Sequence, residues 1–232
     1  MSPSPSATPG PDLHPVGARV VLRPIGNPLP LGFLALAGGT LVLSGLQLGW
    51  VPQAQGRDVA LILLAFVLPL QVLAAIFGFL ARDVVAGTGM GVLAGTWASV
   101  GLVTLTADPG STSDALGLLL LLAAVAMLVP AAAAATGKLV VAALLTLTAA
   151  RFATTGIYQL DGSSAWKDVC GVIGLVLCAA AVYTALAMAL EDARRRTVLP
   201  LGRVGTGRDA LSGDAAAQFD GVQHEAGVRE QL

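Results

Sequence analysis

The stretch ALGLLLLLAAVAMLVPAAAAA, from Ala115 to Ala135, carries no charged side chain. Wound as a helix rising about 1.5 Å per residue, it is long enough to cross a hydrocarbon core of about 30 Å. Five more stretches of the same kind flank it: Leu31 to Val51, Val59 to Ala81, Val84 to Thr106, Leu139 to Tyr158 and Val169 to Leu190. None contains Asp or Glu. In lipid only helices and closed barrels satisfy every backbone group, and these runs lack the alternating pattern of barrel strands. The sequence therefore predicts an all-α membrane protein in which six transmembrane helices form one pore-containing bundle.

Composition agrees. Of 232 residues, 55% are apolar and 12% charged, and the mean hydropathy is +0.79, far from the balance of a water-soluble domain. The net charge of −1 gives no reason to expect a nucleic-acid partner, whereas the placement of the charges is informative. Arg19, Arg23, Arg82, Lys138, Arg194, Arg195, Arg196, Arg203, Arg208 and Arg229 share one side of the membrane if the spans are as read. Only Arg57 and Lys167 face the other, and Arg151 lies within a span. The positive-inside bias puts both termini in the cytoplasm. Trp50, Tyr158 and Trp166 then mark the outer boundary, where amphipathic rings are favoured.

The Pro- and Ser-rich residues 1–26 read as a disordered cytoplasmic leader, without the apolar core of a secretory signal. Residues 27–202 form the membrane domain, and 203–232 a disordered cytoplasmic tail. Both cysteines, Cys170 and Cys178, fall in the sixth span, roughly 12 Å apart along one helix and too far for a disulfide. His14 and His224 lie in the polar ends, so the sequence offers no histidine relay or metal cluster inside the membrane. No cofactor is expected. With no nucleophile, paired base or metal cluster in the spans, neither is catalysis.

Before the first span stands Asn27-Pro28-Leu29-Pro30-Leu31-Gly32. Asn27 can cap the helix and Pro28 suits its first position. Free amides such as those of Leu29 and Leu31 then point from the positive end of the helix dipole, which attracts carboxylates. The same residues also make an ordinary helix start.

This NPLPLG resembles the NPAPLG signature of the acetate uptake transporter family. Gly87-Thr88-Gly89-Met90-Gly91 is similar to that family's GNTFG, followed by Gly171, Gly174 and Tyr183 in the sixth span. Arg196-Thr197-Val198-Leu199-Pro200-Leu201-Gly202 resembles its RTVLPIG ending. The resemblance covers Asn27 to Gly202. It implies a six-helix protomer with its own pore, assembled as a ring of six copies, passing small monocarboxylates across the bacterial cytoplasmic membrane. Family members narrow the pore with a Phe, a Tyr and a Leu. The positions here are Leu36, Ala98 with Trp97 beside it, and either Leu145 or Thr146, which changes the gate and opens the question of substrate.

Polar residues form stripes independently of that resemblance. Thr40, Ser44 and Gln47 follow at helical spacing on the first span, one turn after Leu36. Thr88, Ser99 and Thr106 fall within about 20° of one another on the third, and Thr148, Arg151 and Thr155 align on the fifth. Such hydroxyls serve either as glue between helices or as the lining of a narrow wet path with apolar rings as gates. Arg151 is the one ionisable group deep in a span, placed either to attract an anion or to snorkel towards Tyr158. Gly87, Gly91 and Gly95 allow close helix packing.

The expected function is a channel or proton-coupled transporter for small monocarboxylates such as acetate. The carboxylate is expected to be received at Asn27 to Gly32, to pass Thr40, Ser44, Gln47, Thr88, Ser99 and Tyr183, and to be drawn by Arg151. Transport of succinate, ammonia or a longer acid is the first alternative, and a non-transporting membrane anchor or sensor the second.

Overall fold

The computed structural model describes residues 25–205 and 207–208. His14, His224 and most of the two polar ends, where disorder is expected, lie outside the described residues. Among the described residues there are helices and turns but no strand, and one isolated antiparallel bridge pairs Lys138 with Arg203.

Six helical segments are long and apolar enough to cross a membrane. They are α1 (Leu29–Gln47), a second span containing α2 (Gly56–Ile62) and α3 (Leu68–Leu80), then α4 (Val84–Thr106), α5 (Asp114–Ala135), α6 (Leu139–Asp161) and α7 (Ser164–Arg194). Large apolar side chains such as Leu118, Leu122, Val125 and Val129 on α5, or Val172 and Val176 on α7, point outward and bare. In water that surface would be an aggregation liability, and in lipid it is the required exterior. The chain is a multi-pass membrane protein.

Within the second span, Leu63–Val67 is a turn of π-helix just before Pro69. Proline lacks the amide that would close the helical ladder, and its ring presses on the carbonyl four residues earlier. The wider turn accommodates both effects without ending the span.

The spans pack as a closed ring. α1 lies against α7 and α3, α3 against α4, α4 against α5, α5 against α6, and α6 against α7. Close approach depends on glycine at two crossings. A Cβ on Gly78 would stand 2.5 Å from the Gly87 nitrogen, and one on Gly156 would stand 2.9 Å from the Gly117 oxygen. Gly87 thus packs α4 on α3 as its spacing predicts, while Gly95 has open space beside it.

Local chemistry sets the helix ends. Asp83 Oδ1 accepts from Ala86 N (2.9 Å) to start α4, and Ser113 Oγ accepts from Leu116 N (3.3 Å) to start α5. Gly162, at φ 70°, ends α6 in the left-handed conformation. Several boundaries differ from the apolar runs. α1 stops at Gln47 rather than Val51, because Gly49 turns the chain at φ 75° and the Gln53 amide takes the Leu46 carbonyl at 2.7 Å. α7 begins at Ser164, ahead of the apolar run, and takes Lys167 and Asp168 into its opening turns.

The starts of α1, α4 and α6 and the ends of α3, α5 and α7 share one end of the bundle, the near end. There the segment after α7 folds back as a strap. Leu139 N donates to Gly202 O (3.0 Å), Val140 N to Leu201 O (3.2 Å) and Val204 N to Gly137 O (3.1 Å), so the strap supplies acceptors to the orphan first amides of α6. Leu201 is buried. Arg203, which the sequence reading assigns to the tail, forms an ion pair with the buried Glu191 of α7, and Arg203 Nε lies 2.9 Å from Glu191 Oε2.

Candidate functional site

The opposite, far end holds a vestibule of about 80 Å³. Gln47 closes α1 at its wall, Arg57 comes from α2, Val100 and Thr104 from α4, Leu116 and Leu120 from α5, Thr155, Tyr158 and Gln159 from α6, and Lys167 from α7. Every span contributes, which places the opening inside the ring. The loop from Ala107 to Ser113 covers it, pinned by Gln159 Oε1, which accepts from Ser113 N at 2.9 Å. Arg57 and Lys167 add positive charge to its lining and Asp108 a negative one.

Beneath the vestibule the polar stripes of α1 and α6 meet. Arg151 is 2% exposed. Its Nη2 donates to Gln47 Oε1 (2.5 Å) and its Nη1 to Thr155 Oγ1 (3.0 Å). The guanidinium therefore reaches one turn along α6 in the direction of Tyr158 and stays buried inside the bundle. The buried Cys170 of α7 lies beside it, and no salt bridge reaches it from any described residue. Thr155 Oγ1 donates back to Arg151 O (2.7 Å), which fixes the acceptor it offers to Nη1. On α7, Gly174 leaves the room: a Cβ there would collide with Ser44 Oγ and stand 2.9 Å from Arg151 Nε.

The hydroxyls around this point differ in one respect. Thr40 Oγ1 donates to Leu36 O (2.8 Å) and Thr148 Oγ1 to Leu144 O (2.8 Å), each serving its own helix. Ser44 Oγ is buried with no partner.

The near half of the ring is apolar. Phe33, Leu36, Met90, Leu93, Trp97 and Leu145 are all fully buried or nearly so. Gly39 lets Trp97 reach α1, where a Cβ would lie 3.1 Å from Trp97 Cζ2. Of the expected constriction, Leu36, Trp97 and Leu145 face inward, Ala98 is half-buried, and Thr146 is exposed with its hydroxyl on Ala142 O at 2.9 Å. Of the two fifth-span candidates, Leu145 is the buried one. Trp97 Nε1 is buried without a partner, as is Gln71 Oε1.

The remaining expected residues are scattered. Asn27 is exposed and its Oδ1 accepts from Leu29 N at 3.1 Å, so that amide is occupied rather than free for a ligand. Pro28 (φ −79°, ψ −15°) and Leu29 are buried, Pro30 and Leu31 half-buried, and Gly32 packs under Met90. Gly32 O accepts from Gln71 Nε2 at 3.4 Å, which makes Gln71 a near-end polar group absent from the expected set. The α4 stripe does not join the others. Thr88 is half-buried, Ser99 Oγ serves Gly95 O (3.0 Å), and Thr106 Oγ1 serves Leu102 O (3.0 Å) on the outward side. Tyr183 is 39% exposed, and its hydroxyl donates to Pro200 O of the strap (2.9 Å), away from Arg151. Sequence reasoning also passed over Gln53 and Gln159 of the vestibule. Their signal was three glutamines, with Gln47, gathered at the same span ends.

Comparison with known proteins gives two results. A family model described as the GPR1/FUN34/yaaH family matches residues 9–203. The fold is similar to a solved structure of the bacterial acetate channel SatP, with a TM-score of 0.68 and 24% sequence identity over 76% of this chain and 99% of that one. No curated protein matches in sequence.

Proposed function

The chain belongs to the GPR1/FUN34/yaaH family, and on that premise we propose that it is a channel-like path for small monocarboxylates such as acetate. The observation that carries this reading is the vestibule, which enters the ring from the far end and is lined in part by Gln47 and Thr155, the two groups that hold Arg151. Hydroxyl and amide groups there replace part of a solute's water, and the charge below favours an anion. The apolar section at Leu36, Trp97 and Leu145 restricts passage to solutes small enough to part those side chains. The similarity to a bacterial acetate channel supports the same substrate class.

In this reading the protein lies in the bacterial cytoplasmic membrane with both termini inside, on the charge asymmetry of its loops. The vestibule then faces outward and the strap inward. Copies assemble as a ring, each with its own path. Asn27 to Gly32 form the inner mouth.

Purified protein in sealed vesicles tests the reading. Labelled acetate should enter far faster than into protein-free vesicles and faster than a bulky aromatic acid. Vesicles that stay sealed to acetate refute it. Equilibration without accumulation under a proton gradient is expected of a channel, and accumulation above equilibrium would replace the channel by a proton-coupled carrier.

A further inference from the structure

We propose that Arg151 and Ser44, which meet over Gly174, form a binding site for one ionised carboxylate near mid-membrane depth, entered from the vestibule. The proposal rests on the reading of the chain as a carboxylate path and specifies where, and in which charge state, the solute is held.

Charge is the first argument. Arg151 lies near the middle of α6, and the two groups that accept its hydrogen bonds, Gln47 and Thr155, are neutral. Hydrogen bonds to neutral groups orient the cation without cancelling it. An uncompensated positive charge inside a membrane protein is costly, and a monoanion beside it removes that cost.

The second argument is Ser44. A buried hydroxyl without a partner forgoes a hydrogen bond that its neighbours Thr40 and Thr148 each make to their own helix. Ser44 Oγ and Arg151 Nε converge on the face of Gly174, where only a hydrogen side chain leaves room. A donor hydroxyl and a guanidinium edge side by side match the needs of a carboxylate, whose oxygens only accept.

The third is pre-organisation. Nη1 and Nη2 are already tied to Thr155 and Gln47, so the guanidinium is held before a ligand arrives and little freedom is lost on binding. Gln47 and Thr155 also line the vestibule, which places the site against its wall. One positive charge selects a monocarboxylate over a dicarboxylate and offers nothing to neutral ammonia.

The test uses the full chain in lipid vesicles, with acetate uptake followed as a function of acetate concentration and thermal melting measured on the same preparations. The native chain should saturate. Ser44→Ala removes a hydroxyl that bonds nothing, so melting should not fall, while half-saturation should rise about tenfold through loss of a hydrogen bond to a charged ligand. Arg151→Gln should abolish saturation, and Arg151→Lys should retain more of it than Gln does. Should Arg151→Gln fail to fold, Ser44→Ala still decides. Native and Ser44→Ala chains with the same half-saturation overturn the site while leaving acetate passage standing. Native vesicles impermeable to acetate overturn both.

Discussion

The two halves of the ring solve opposite problems. In the far half, Gln47, Thr155, Gln159 and Arg151 gather polar groups around a vestibule. In the near half, Phe33, Leu36, Met90, Leu93, Trp97 and Leu145 close the interior with hydrocarbon. Both halves are built by the same helices, since α1 supplies Leu36 below and Gln47 above, and α6 supplies Leu145 below and Thr155 above. In the proposed path, selection by charge and selection by size are stacked along one axis, which makes them separable by mutation.

The largest effect should come from Trp97→Ala. Emptying a large buried aromatic site costs about 3–5 kcal/mol in soluble proteins, and here it also opens the apolar section. Melting of the detergent-solubilised protein should fall sharply while acetate flux through the folded fraction rises. Unchanged flux would mean that the near half does not gate.

Leu36→Ser comes next. A hydroxyl on the buried face of α1, with the cavity left by the shortened side chain, wets the section, and acetate flux is expected to rise roughly tenfold, equivalent to a barrier lower by about 1.4 kcal/mol. Vesicle uptake reads it directly.

Smaller again is the double change Arg57→Gln with Lys167→Gln in the vestibule. Exposed charges act on encounter, so uptake at low acetate should fall about two- to threefold at low ionic strength and the difference should fade as salt is raised. A loss that salt does not diminish would assign these residues a direct contact instead.

The smallest effect is expected at Ser99→Ala. This hydroxyl bonds Gly95 O on the outward side of α4, so melting should change by less than about 0.5 kcal/mol and flux not at all. Altered flux would return the Ser99 face of α4 to the path.

Why Ser99 misled is instructive. Helical spacing tells which residues share a face, but not whether that face looks inward. On α1 and α6 the polar stripe is buried, whereas on α4 the buried face is Ala86, Met90, Leu93, Trp97 and Val100, and no periodicity in the sequence distinguishes the cases. Span positions were readable because lipid demands apolar length, and α4 coincides with its apolar run at both ends. Helix ends set by polar chemistry were not, as at Gln53 capping Leu46 or at Lys167 inside α7. The meeting of Ser44, Arg151 and Gly174 joins three helices, and only packing brings them together. The RTVLPLG segment was legible as a pattern, but its task as a strap depends on contacts with α6 that lie far back in the chain.

That strap sets an order of events during synthesis. α6 reaches the bilayer with the amides of Leu139 and Val140 lacking the acceptors that Gly202 and Leu201 later provide, so its near end must wait on water or headgroups until the ribosome has made almost the whole described chain. Nascent protein halted after α7 holds all six spans with the first amides of α6 still waiting for their partners.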